Sequence, residues 1–142
     1  MKRTLVVYVL LLLPAWVVAD DAPAKVTVQQ LLAQPDKYDH HRVDVSGYYT
    51  TSMEDSDLWP DKATSERARS EESIDIDPRV WDPRYTPHRP KDVMDVDALR
   101  FRRVRVVGTF RNGGVRGRIA IPADGPTIVD VTYFRPIRLT KR

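Results

Sequence analysis

Two segments of this chain share one pattern, and it restricts the fold more than anything else in the sequence. Arg42-Val43-Asp44-Val45-Ser46-Gly47-Tyr48-Tyr49 and Arg103-Val104-Arg105-Val106-Val107-Gly108-Thr109-Phe110 both fit Arg-Val-x-Val-x-Gly-x-aromatic. Period-two alternation belongs to a strand with one buried face. Val43 and Val45 therefore share one side, and Val104 and Val106 share the equivalent side of the second strand. A glycine inside such a strand marks a bulge or a sharp bend, where a sheet curls toward closure. Two long, similarly bent strands predict a small barrel and not a flat sandwich.

The other elements fall into place around these two. Thr27-Val28-Gln29-Gln30 is a capping-box pattern. It starts a short helix over Val28 to Ala33, with Val28, Leu31 and Leu32 on one face and Pro35 as its stop. Asp36 to His41 is a polar turn. Leu58-Trp59 and Ser73 to Asp77 read as short strands flanking an exposed helical turn within Asp61 to Arg69. Pro78, Pro83, Pro87 and Pro90 exclude helix and central strand, leaving an extended loop at about 77–91 that carries Trp81, Tyr85 and His88. A helical turn within Val93 to Leu99 precedes the long strand at Arg102 to Arg111. Asn112-Gly113 is a hairpin signal, with Ile119 to Ile121 and Thr127 to Phe134 as closing strands. The expected fold is mainly β, a small barrel of about five or six strands with a short N-terminal helix.

The start of the chain addresses it elsewhere. Lys2 and Arg3 precede an apolar run of 14 residues, Leu5 to Val18, and Val17-Val18-Ala19 supplies small residues ahead of Asp20-Asp21. That is the layout of a secretory signal peptide over 1–19, short of the ~20 residues a membrane span needs. Export to the periplasm or the medium is the expectation, with Asp20 to Lys25 as a flexible lead and 26–142 as one domain. An uncleaved leader is the one route to the membrane. The chain has no cysteine, so neither a lipidated thiol nor a disulfide is available.

Charge is placed unevenly. Asp20 to Ala98 carries a net −8, whereas Leu99 to Arg142 carries a net +9. Such asymmetry fits a polyanion-binding surface, or two sets of strands pairing across one small domain.

Over Val26 to Ile137 the chain resembles the small OB-fold-like domains of uncharacterised exported bacterial proteins. Their pattern is carried here by Leu31, Pro35 and Tyr38, then Val43, Val45 and Gly47. Leu58-Trp59, Ile74 and Ile76 follow, and Val104, Val106, Gly108, Phe110, Ile128 and Val131 complete it. His40-His41 stands where that pattern has Gly-Lys, and 77–91 looks like an insertion. The resemblance implies an OB-like barrel and supplies no catalytic residue.

Candidate chemistry is sparse. Asp39, His40 and His41 are metal-ligand types, but neighbours at a strand start point to opposite faces and chelate one ion poorly, so no metal site is assigned. Glu54, Asp55, Asp57, Glu71 and Glu72 lie in polar surroundings, as do Asp75 and Asp77, two apart on one strand face; ionised, solvated carboxylates are expected. No phosphate loop, nucleophile elbow or zinc-protease motif is present. The expectation is therefore a protein that is not an enzyme and uses no cofactor. The ligand-binding candidates are Arg103, Arg105, Arg116 and Arg118 with Tyr48, an arginine and aromatic combination suited to an anion. Export argues against nucleic acid and favours an anionic glycan or a protein surface in the cell envelope. The same arginines could instead pair with the acidic strands. Trp81 and Tyr85 are candidate anchors for a partner protein, or else part of a cover over one barrel end.

Overall fold

The computed structural model of the chain describes residues 22–52, 55–113 and 125–138. Six strands are joined by short helices: β1 (Ala24–Thr27), α1 (Val28–Ala33), α2 (Pro35–Tyr38), β2 (Arg42–Thr51), β3 (Ser56–Trp59), α3 (Lys62–Arg67), β4 (Ile74–Ile76), α4 (Val96–Leu99), β5 (Arg102–Arg111) and β6 (Thr127–Pro136). The sheet order is β1-β2-β3-β4-β6-β5, and β5 pairs back onto β2, so β2 to β6 close a five-stranded OB-like barrel with β1 as an extra strand. The β4–β6 pair is parallel, whereas β2–β3, β3–β4, β2–β5 and β5–β6 are antiparallel.

The valine pattern does what its period requires. Val43, Val45, Val104 and Val106 are fully buried, joined inside by Tyr49, Leu58, Ile74, Ile76, Phe110, Ile128 and Phe134. Both pattern glycines also face inward, at corners. Gly47 lies where β2 exchanges its partner β1, paired through Ser46, for β3, paired from Tyr48. Gly108 lies opposite a bulge in β6, where the register jumps from Val107↔Tyr133 to Thr109↔Val129 and Asp130 adopts φ 49°.

The expected capping box is present: the Gln30 N–H donates to Thr27 Oγ1 at 3.1 Å, and the Thr27 N–H to Gln30 Oε1 at 2.8 Å. Val28 and Leu31 of α1 are buried in the core, and Leu99 of α4 is buried near the start of β5. Asp61 caps α3 through the Thr64 N–H, and Thr64 is buried, so this turn packs on β2 and β3 instead of standing free.

The expected flexible lead is revised. Ala24 and Lys25, expected in a flexible lead, belong to β1, which runs parallel to β2 with Lys25 beside Asp44. Asn112-Gly113 follows the end of β5, and the residues that would close a hairpin after it lie outside the described ones. β6 begins opposite Arg111 only at Thr127, while Asn112 donates its side chain to Asp36 Oδ1 (2.6 Å) and its N–H to Asp39 Oδ1 (2.9 Å). Ile119 to Ile121, the leader, and Arg116 and Arg118 lie outside the described residues.

Trp81 is not an outward anchor. Its ring centroid is 5.4 Å from that of Phe134, and its Nε1 donates to the Met94 carbonyl at 2.9 Å. This half-buried indole ties the proline-rich loop to the barrel, so Trp81→Ala is expected to cost about 2 kcal/mol in chemical denaturation, below the full Trp→Ala range because the ring is partly exposed. An unchanged midpoint would mean that the loop is not part of the cooperative fold.

Candidate functional site

Because Val43, Val45, Gly47 and Tyr49 point into the barrel, the alternate residues Asp44, Ser46 and Tyr48 point out. Arg103 and Arg105 do the same on β5, where the register sets Arg103 against Tyr48 and Arg105 against Ser46. Three of the five arginine and tyrosine candidates thus share one outer face. β1 extends it on the far side of β2, adding Lys25 and Thr27.

Arg105 is held from two sides. Its Nε and Nη2 form a fork onto the Asp44 carboxylate, both bonds 2.7 Å, and its guanidinium carbon lies 5.1 Å from the Tyr133 ring centroid. Asp44 is only 8% exposed. The fork with Asp44 is the main reason the guanidinium is pushed above its ordinary pKa, and it fixes the plane of the group. This realises the expected pairing of basic with acidic strands at one position. It also leaves the remaining guanidinium edge rigid and part-exposed.

Beside it opens a shallow groove of about 410 Å³, open to solvent, lined by Lys25, Val26, Thr27, Gln30, Asp44, Ser46 and Arg105. The Thr27 hydroxyl and the Gln30 amide are engaged in the capping box. The Lys25 ammonium and the Ser46 hydroxyl have no partner among the described residues. Two cations and a hydroxyl thus converge on a pocket containing a single carboxylate that is already paired. Donors and positive charge in a concave site are the chemistry of anion binding. Lys25 was missed in the sequence because a flexible lead was expected where β1 lies, although its alternation with Thr27 was an available signal; Ser46 was on the expected strand, but a single serine there carries no binding signal.

The other candidates lie apart from this pocket. Tyr85 is 46% exposed, with the Arg84 guanidinium 5.8 Å from its ring centroid. His40 and His41 are exposed in the turn after α2 and both contact Asp39. Among the described residues no three His, Cys, Asp or Glu side chains are grouped as metal ligands.

The carboxylates differ from expectation. Asp77 caps the turn at Pro78–Val80 and is forked onto Arg79, so it does not act with Asp75. Asp75 instead stands directly opposite Asp57 across the β3–β4 pair, both on the outer face. Ser73 Oγ donates to Asp57 Oδ1 at 3.0 Å. Burial first, and then the Asp57 carboxylate, raise the Asp75 pKa from 3.8 to about 6; burial raises Asp57 as well. Below about pH 6 these two share a proton, so they are not the ionised, solvated carboxylates the sequence suggested.

No family model and no curated protein sequence matches this chain.

Proposed function

We propose that this chain is an exported, non-catalytic binding module of the cell envelope, related to the small OB-like domains of exported bacterial proteins, that holds an anionic glycan on the outer face of β1, β2 and β5. The observation that carries the reading is the pocket where Lys25, Ser46 and the pinned Arg105 converge. Its volume, about 410 Å³, is within the range that takes a small ligand such as a sugar acid. Arg103 and Tyr48, next along the same face, would contact the adjoining saccharide unit. The leader-like start of the sequence supports export, and a polyanion of the envelope is the ligand chemistry that compartment offers.

Retention on immobilised heparin, measured against salt, tests this. Lys25→Glu and Arg103→Glu should each weaken binding about tenfold at low salt, and each should lower the slope of log affinity against log salt by about one. Absent or salt-insensitive retention removes the proposal.

A second reading, in which an envelope partner is contacted through the proline-rich loop, keeps one supporting observation, the exposed Tyr85. Because Trp81 is a packing residue, Tyr85→Ala is the variant that separates contact from folding, whereas deletion of the loop would remove both.

A further inference from the structure

A second surface lies at the barrel end where β5 begins, and it is independent of the glycan pocket. Phe101 is 56% exposed, the most exposed large hydrophobic residue described. It directly follows Arg100, the C-cap of α4, and adopts φ 59°, the left-handed region in which glycine is preferred after a helix. Its N–H is tied to the Tyr49 carbonyl at 2.9 Å, so the backbone turn is needed to bring the chain from α4 into β5. The turn would be easier with glycine there. An aromatic side chain at this position strains the backbone and gains little burial, so folding gives no reason for it.

The charges around it are equally unspent. Arg67, Arg79, Arg84, Arg89, Arg105 and Arg135 each pair with a carboxylate. Arg100 and Arg102, flanking Phe101, are exposed and, like Arg42, Arg69, Arg103 and Arg111, have no carboxylate partner among the described residues; what sets them apart is the exposed ring between them. The Arg100 guanidinium carbon lies 4.8 Å from the Phe101 ring centroid. An apolar knob between free cations is complementary to an apolar group between anions, and a ring without a polar handle selects an apolar contact at its centre.

We propose that Arg100, Phe101 and Arg102 form a docking surface for an acidic polypeptide segment, one whose carboxylates flank a large apolar side chain that packs on the Phe101 ring. Phe101→Gly separates docking from folding, because it removes the knob and relieves the left-handed strain together. Thermal stability of this variant should match or exceed that of the parent.

The probe is a random peptide library displayed on phage, selected against the whole exported chain. Enriched peptides should set Asp or Glu beside an aromatic or large aliphatic residue. A synthetic copy of one should lose at least tenfold in affinity on Phe101→Gly and on the double change Arg100→Glu, Arg102→Glu, while heparin retention of Phe101→Gly stays at the parent level. Enriched peptides without that pattern, or peptides that bind Phe101→Gly as well as the parent, overturn the proposal. So does loss of peptide binding on Lys25→Glu with Phe101→Gly intact, which would move the surface to the pocket. Dimerisation of the chain that Phe101→Gly abolishes would assign the surface to a second copy and overturn it too.

Discussion

Gly108→Ala is expected to destabilise the barrel by about 3 kcal/mol, at the upper end of what an added methyl group costs a packed interior. A Cβ at that position would lie 2.6 Å from Ile128 Cγ2 and 2.7 Å from the Val129 carbonyl oxygen. Ile128 is itself fully buried, and the carbonyl belongs to the bulged strand β6, so neither neighbour can swing aside. Gly47→Ala should behave alike, since its Cβ would sit 2.5 Å from the Trp59 carbonyl oxygen and 2.8 Å from two Leu58 side-chain atoms. Urea denaturation of each variant gives the answer. A loss below about 0.5 kcal/mol, the size of an ordinary surface change, would mean that the strands do not approach at these corners and that closure is looser than described.

Those corners were legible in the sequence because an alternating valine ribbon interrupted by glycine has few other uses. The capping box at Thr27 and the bounds of β5 were legible for the same kind of reason: each is a local rule with a local readout. What escaped was non-local. β1 offers only one four-residue alternation, Ala24-Lys25-Val26-Thr27, too short to announce a strand, and it is held by main-chain pairing to β2. Asp36 and Asp39, more than seventy positions away in the chain, accept from the Asn112 side chain and N–H, contacts that no local spacing announces. Arg103, Arg105 and Tyr48 could be put on one face by period alone. That Arg105 would be forked onto Asp44 depended on the strand register, which no spacing within β5 encodes. The partner of Asp75 was misplaced for that reason also: Asp77 is its neighbour by period, and Asp57 its neighbour by pairing.

The Asp57–Asp75 pairing leads to the second large effect. Like charges directly opposite on an antiparallel pair are destabilising, and β3 and β4 are joined at only two register positions, Asp57↔Asp75 and Leu58↔Ile74. Folding raises the Asp75 pKa from 3.8 to about 6, so the folded state holds this proton more tightly than the unfolded chain does. Over the interval between those values stability must fall as pH rises, and above about 6 the whole penalty is in force. Asp75→Asn removes the titration and leaves a neutral group able to donate to Asp57. At about pH 8 it should stabilise the barrel by about 1–2 kcal/mol, less than the full shift would convert to, because the carboxyl is partly exposed and water screens it. Near pH 4 the advantage should shrink to about 0.5 kcal/mol or less, since the wild-type carboxyl is then already protonated. Asp57→Asn, which keeps an oxygen to accept from Ser73 Oγ, should show the same pH dependence. The comparison needs only urea unfolding of the three proteins across this range. If Asp75→Asn were less stable than the parent at pH 8, the ionised carboxylate would have to be held by a cation, and the account of a shared proton across β3 and β4 would fail.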